Sequence, residues 1–433
     1  MGVAIFSLVA LTLLLSFGTP IPYCFGVAMA IMHFWGGVDM AGVLLYGLQQ
    51  ILSPVLLSIP LFVFAGGLMS ESSIAKQLLD FVNIFVGRIK GGLGVVSTIT
   101  CAILGAVTGS SLTGVAAIAP IMVPRMVNEG YPRGYATALV TISSVLGVLI
   151  PPSITMITYG WVTETSILAC FIATLLPGLL VTLIFSSLNI YMVRNLNLKL
   201  EPKTTLYEKS KKAVKSFKGA FPALMMPAII LGGIYGGIMT PTESAAVAVL
   251  YSILIGFVVY KGLTKSTFFN AAYTSATTVA SIMLMIMICI ALGQTYVMVG
   301  VPQVITESIL AISDNRNIIL LFINVIFFVM GMLVSDMVTT LLVIPLLFPL
   351  VTSMGVHPVH FAAIVGVNLA TGVVTPPYAS VLYLGIRLGE TTFEDTIKPL
   401  MIFLTFGYIP VLILTTYVPQ LSLFLPGLLG LVK

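Results

Sequence analysis

Residues Ser110 to Gly160 lie over Ser335 to Gly385 without a gap, 225 positions downstream. Of the 51 aligned positions, 11 are identical. Pro120 meets Pro345, Pro124 meets Pro349, and Pro151-Pro152 meets Pro376-Pro377. Gly130 meets Gly355, Gly147 meets Gly372 and Gly160 meets Gly385. An apolar composition raises chance matches among Leu, Ile and Val, but it does not stack four prolines on four prolines. Proline and glycine punctuate helices. A chain punctuated the same way twice is built from two copies of one unit.

The surrounding sequence sets the medium. Hydrophobic residues make up 58% of the 433 positions and charged ones 8%, against about 25% charged in a soluble domain. Mean hydropathy is +1.13. This is the composition of an all-α polytopic membrane protein. The net charge of +5 is not a nucleic-acid signal, because the basic residues cluster in loops. Cys24, Cys101, Cys170 and Cys289 are scattered through apolar stretches with no C-x-x-C, and read as packing residues. The apolar run from Gly2 has no basic segment before it and reads as a first span rather than a cleaved signal.

Apolar runs long enough to cross a bilayer fall near 3–18, 20–36, 51–70, 134–160 and 166–192, then 220–238, 243–260, 273–299, 359–386 and 397–418. Two further stretches, 92–127 and 317–353, are interrupted in the middle by Gly109-Ser110-Ser111 and by Ser335-Asp336. The segment 194–219 is rich in lysine and must be cytoplasmic. Propagating from it, with each interrupted stretch entering and leaving on one side, puts all but Arg316 and Lys433 of the 19 Lys and Arg inside. The N-terminus is then outside. Each half has an odd number of spans, so the second is upside down relative to the first: two inverted repeats, 1–193 and 220–433, joined by the basic linker 194–219. Each repeat has five transmembrane helices plus one interrupted stretch, expected to be a re-entrant helical hairpin. The helical spacing of charge in 72–90 and 261–272 leaves interfacial amphipathic helices open there.

Four constellations can carry chemistry. At Gly109-Ser110-Ser111-x-Thr113 one helical limb ends and another begins. The new limb offers free N–H groups and a positive dipole end, and the old one bare carbonyls. Serine capping is the simpler alternative. The partner tip, Ser335-Asp336-x-x-Thr339, holds the one acidic residue placed at membrane depth, which marks a functional candidate. The double prolines free the carbonyls four residues upstream, those of Gly147 and Gly372. Around them lie Ser143, Ile150, Ser153 and Thr155 in one copy and Asn368, Thr375 and Ser380 in the other. His33, His357 and His360 lie near predicted membrane edges and read as interfacial. No Ser-His-Asp set, H-E-x-x-H or P-loop is present, so nothing argues for an enzyme.

The stretch Gly105–Pro124, with G-S-S-L-T-G-V-A-A-I-A-P-I-M-V-P, resembles the first hairpin of the large membrane (M) subunit of TRAP transporters. G-V-L-I-P-P-S at 147–153 resembles that subunit's unwound helix, and T-P-P at 375–377 its repeat. The resemblance implies the ion-transporter superfamily fold, an elevator-type mechanism, Na+ as coupling ion with no other cofactor, and uptake of a small organic acid such as a C4-dicarboxylate, a sialic acid or another sugar acid. It implies one sodium site at Gly109, Ser110 and Ser111 with Gly147, Ile150 and Pro151. The second would use Ser335, Asp336 and Thr339 with Gly372, Thr375 and Pro376. Thr113, Ser153, Thr155, Asn368, Pro377 and Ser380 are the expected substrate contacts. It also implies a small four-helix membrane subunit (Q) and a periplasmic substrate-binding protein (P) in a bacterial inner membrane. Because Met1 leads straight into the large subunit, the small one is expected as a separate chain. A stand-alone sodium–anion symporter of the same superfamily, and a channel or non-transporting scaffold, are the alternatives.

Overall fold

The computed structural model describes residues 2–72, 74–199, 206–377 and 379–432. Lys203 of the basic linker, Met1 and Lys433 lie outside this set. Among the described residues the chain is helical throughout, with no strand. In order come α1 Gly2–Ser16, α2 Ile21–Phe34, α3 Met40–Ile51, α4 Ser58–Glu71, α5 Ile74–Val86, α6 Gly92–Thr108, α7 Ser111–Glu129, α8 Arg133–Ser144, α9 Leu146–Leu149, α10 Ile154–Val162 and α11 Ile167–Met192. Then follow α12 Leu206–Tyr235, α13 Pro241–Leu254 with a π-helical turn to Val259, α14 Lys265–Met298, α15 Val301–Ile312, α16 Arg316–Leu333, α17 Asp336–Ser353, α18 Pro358–Gly372, α19 Ser380–Gly389, α20 Phe393–Ile402, a π-helical turn, α21 Ile409–Tyr417 and α22 Gln420–Leu428.

The element boundaries repeat at the shift seen in the sequence. α6, α7, α8 and α10 are followed about 225 residues later by α16, α17, α18 and α19. The same shift lays α3 and α4 over the single helix α14, and α5 over α15. One proline accounts for the difference. Pro54 stands between α3 and α4, where it cannot donate to Gln50 and its ring crowds that carbonyl; Val279 stands at the shifted position and α14 runs through.

Several sequence expectations shift here. α3 precedes the span expected at 51–70, started by Asp39, whose carboxylate accepts the N–H groups of Ala41 and Gly42 at 3.1 Å each. The basic segment is partly helical: no proline or glycine interrupts 206–218, and α12 carries those lysines into the following span. Residues 261–272 are not a separate interfacial helix. Thr264 caps α14 through Thr267, and the helix then runs unbroken to Met298. The counterpart of the amphipathic α5 is α15. α22 follows the last expected span and packs on α11.

Among the described residues, eight helical stretches are long and apolar enough to cross a membrane, or nine if the bent pair α4–α5 counts as one. The two broken helices form the centre. Residues 134–160 and 359–375 are all buried, polar side chains such as Ser143, Thr155 and Asn368 included. α1 and α14 instead expose Ile5, Phe6, Val9 and Leu13, and Phe269, Tyr273 and Leu284. Outward apolar side chains with every backbone bond internal suit a lipid solvent. α14 is 34 residues long, about 51 Å at 1.5 Å per residue, and packs along α2, α3, α4 and α17. It thereby lies beside α17, which starts at Asp336.

Candidate functional site

The first tip is made by a glycine. α6 stops because Gly109 takes φ +61°, and its N–H bonds the carbonyl of Gly105 at 2.8 Å. A Cβ at Gly109 would also stand 2.7 Å from the carbonyl oxygen of Pro152, so close approach and backbone conformation both require glycine. Ser110 is the extended N-cap of α7, yet its hydroxyl makes no capping bond. The hydroxyl of Ser111 is buried without a partner. The capping alternative therefore lacks its bond, and an unpaired buried hydroxyl calls for a ligand or water.

The first break seats on this tip. Pro151 and Pro152 carry no N–H, so the carbonyls of Gly147 and Val148 have no helical donor. Ile150 is extended, and α10 restarts with Ser153 at its N-cap, whose hydroxyl is also buried and unpaired. A Cβ on Gly147 would lie 2.9 Å from the carbonyl oxygen of Ser110, and one on Gly105 would lie 2.6 Å from the Cα of Gly147. Backbone meets backbone across α6, the tip and the break.

The second tip turns without a left-handed residue. Val334 is extended, Ser335 is the N-cap of α17 with no capping bond, and Asp336 begins the helix. The Ser335 hydroxyl is buried and unpaired. Thr339 donates to the carbonyl of Ser335 at 3.1 Å and Thr340 to that of Asp336 at 2.8 Å. Asp336 Oδ2 accepts a hydrogen bond from Thr155 Oγ1 at 2.7 Å. The second break is more self-contained than the first. Thr375 N–H reaches the carbonyl of Gly372 at 3.0 Å and Val381 N–H that of Val373 at 3.2 Å. Gly331 and Gly372 meet as Gly105 and Gly147 do, with a Cβ on Gly331 only 2.9 Å from the Cα of Gly372.

Both tips open into one cavity of about 680 Å³. Gly109, Ser110, Ser111, Thr113, Ser335, Asp336 and Ser380 line it together, although the two tips are 225 residues apart. Gly147, Ile150, Pro151, Ser153, Thr155, Thr339, Gly372 and Thr375 are buried outside this lining, while Pro376 is half-buried and Pro377 exposed. Asn368 is buried outside it too: its Nδ2 donates to Asn324 Oδ1 at 2.6 Å and to the carbonyl of Ile364 at 2.9 Å. Asn324 in turn donates to Thr416 at 3.0 Å. His360 belongs to the same layer. It is 1% exposed, within 2.6 Å of the Ser422 hydroxyl through Nδ1, and so is buried rather than interfacial. His357 caps α18, accepting the Val359 N–H at 3.1 Å, and His33 bonds the Val38 carbonyl at 2.8 Å.

The facing wall escaped the sequence reading. α4 contributes Gly67, Ser70 and Glu71, and α14 contributes Thr274, Ser275 and Thr278. Gly67 makes room for the α14 wall, since a Cβ there would meet the Ser275 hydroxyl at 2.7 Å. The available signal was a run of hydroxyl residues at helical spacing inside an apolar helix. Among the described lining residues Glu71 and Asp336 are the carboxylates, and no Lys, Arg or His is present. The first turns of α7, α17 and α19 also face the cavity. Hydroxyls, carbonyls and carboxylate at the tips suit a small hard cation, and three helix N-termini suit an anion beside it.

Comparison with known proteins follows the same lines. The profile of the family described as "Tripartite ATP-independent periplasmic transporter, DctM component" matches residues 8–421. The chain is 32% identical to the sialic acid TRAP transporter large permease protein SiaM of Vibrio cholerae serotype O1, over 93% of this chain and 90% of that one. It is 36% identical to the C4-dicarboxylate TRAP transporter large permease protein DctM of Pseudomonas aeruginosa, over 87% of each. The solved structure of the Alcanivorax borkumensis YdaH transporter superposes with a TM-score of 0.56 at 14% identity, covering 88% of this chain and 86% of that one, which is a likeness of fold.

Proposed function

Because the chain belongs to the DctM component family of tripartite ATP-independent periplasmic transporters, we propose that it is the sodium-coupled transport subunit of a three-part importer of a small organic acid. One observation carries the reading: two tips from the two copies of one motif converge on a single cavity, each bringing a buried hydroxyl with no partner. Sodium binds at the tips, held by the Ser111 and Ser335 hydroxyls, the Asp336 carboxylate and the carbonyls exposed at the breaks. With no basic side chain lining the cavity, the substrate carboxylate is held by helix N-termini, hydroxyls and the neighbouring ions. Sodium moving down its gradient drives uptake, contributing about 2.3 kcal/mol per charge per 100 mV plus the concentration difference. Relatives act on sialic acid and on C4-dicarboxylates by their names, and both chemistries fit this reading.

The periplasmic binding protein delivers the substrate, and a separate small membrane subunit completes the complex in the bacterial inner membrane. The two repeats are inverted in the bilayer, the hairpins are re-entrant, and the hairpin-bearing helices move against the wall of α4 and α14. Reconstituted with the small subunit, the chain takes up labelled substrate only with both external sodium and loaded binding protein. Full uptake with potassium in place of sodium, or without the binding protein, would sink the proposal.

The topology has its own test. Cysteines at Lys215 and Asn315, both exposed, are introduced in a background lacking the native four. An impermeant maleimide labels Lys215→Cys from the cytoplasmic face and Asn315→Cys from the periplasmic face. Labelling of both from one face contradicts the inverted arrangement.

A further inference from the structure

We propose that Thr155 couples the two sodium sites, acting as a positioning residue that lets an ion at one tip set the affinity at the other. The inference rests on the sodium reading of the tips and goes beyond it. Thr155 lies in the first turn of α10, just after the first break, and is 1% exposed. Its hydroxyl donates to Asp336 Oδ2 at 2.7 Å, across 181 residues of sequence and from one repeat to the other. The carboxylate of the second tip is therefore held by the break that serves the first.

The packing makes this crosswise arrangement general. α10 lies against α17, and α19 lies against α7, so the limb after each break rests on the other repeat's tip helix. The 225-residue shift carries Thr155 onto Ser380 and Asp336 onto Ser111. That mirror pair lines the cavity, but Ser111 keeps an unpaired hydroxyl. Of these two mirror pairs, the one that carries the charge is bridged. A threonine in a helix can return its hydroxyl to a carbonyl of the preceding turn; Thr155 donates its hydrogen bond to the carboxylate instead. A hydrogen bond to an ionised acceptor is shorter and about twice as strong as a neutral one.

The consequence is linkage. An ion ordering the first tip and the Gly147–Ser153 break fixes the start of α10, and with it the hydroxyl that orients Asp336. An ion drawing on Asp336 fixes Thr155 and the break in return. Coupling free energies of this kind are reciprocal. Sodium binding is then positively cooperative, and the cooperativity passes through one hydrogen bond.

The test is sodium-dependent thermal stabilisation of the purified full-length chain, with potassium at matched ionic strength as the control. The wild type titrates with a Hill coefficient above one. Thr155→Val, which keeps the shape and removes the donor, lowers the coefficient towards one and raises the half-saturating sodium about tenfold, within the usual range of coupling factors. Thr155→Ser restores both. Thr155→Val combined with Asp336→Asn loses no more cooperativity than Thr155→Val alone. Where valine does not fold, Thr155→Ala gives the same comparison. A valine or alanine variant with the wild-type coefficient and midpoint overturns the inference while leaving sodium binding intact. A wild type stabilised no more by sodium than by potassium overturns the sodium reading itself, and this coupling with it.

Discussion

Asp336→Asn raises the sodium concentration for half-maximal uptake by about tenfold or more, since removing the charge from a partly desolvated ion contact costs upwards of ~1.4 kcal/mol. The change is nearly isosteric. Asparagine still offers an oxygen to the Thr155 hydroxyl that now reaches Oδ2 at 2.7 Å, so packing and the cross-repeat contact survive. The ion loses the negative charge that offsets its own. Capping predicts the opposite, because asparagine is as good an N-cap as aspartate. Moreover Ser335, not Asp336, occupies the N-cap position of α17. Ser111→Ala at the shifted position has a smaller effect, because a neutral hydroxyl supplies less attraction than a carboxylate. Sodium titration of uptake in all three proteins checks the order. An unchanged midpoint in a normally expressed Asp336→Asn variant would reject the ligand role.

Gly147→Leu abolishes uptake. A Cβ at this position would lie 2.9 Å from the carbonyl oxygen of Ser110, 3.0 Å from its carbon and 3.2 Å from the N of Ser111. All three are backbone atoms of the first tip, held by Gly109 and the start of α7, and cannot yield as a flexible side chain would. Overpacking in a tight interior costs about 1–3 kcal/mol even where side chains move. Here the displacement falls on the proposed sodium site, so activity is lost before the fold is. Gly232→Leu is the control, since a Cβ there meets nothing within 4 Å. Uptake is measured beside the amount of chain extracted intact from membranes. Wild-type uptake in Gly147→Leu would contradict the seating of the break on the tip.

The parts legible in the sequence are chiefly those written in proline and glycine. The second tip, Ser335-Asp336, shows as a polar pair in an apolar run, whereas Pro151-Pro152 and Pro376-Pro377 announce both breaks and Gly109 the first tip. These residues act on their own backbone, so their meaning is local. What the sequence hid depends on partners far along the chain. Thr274, Ser275 and Thr278 become a cavity wall only because α14 lies across α17. Asn368 donates through Nδ2 to Asn324 on α16, while its Oδ1 is buried without a partner. His360 looked interfacial until α21 and α22 covered it with Thr416 and Ser422. Likewise, the charges at Lys261 and Lys265 mimicked the edge of an amphipathic helix. The Thr264 cap with no breaker after it instead extended α14 to Met298.

The claim at the centre is that substrate crosses through the cavity between the tips and the α4–α14 wall, and that the tips must move against that wall. Leu112, beside the first tip, and Thr278, on α14, both line it. Cysteines at these two positions, in a background lacking the native four, are bridged with a short reducible bifunctional reagent, and substrate uptake is measured before bridging, after it and after reduction. Uptake stops when the bridge forms and returns when it is cleaved. Undiminished uptake by fully bridged protein would contradict that movement.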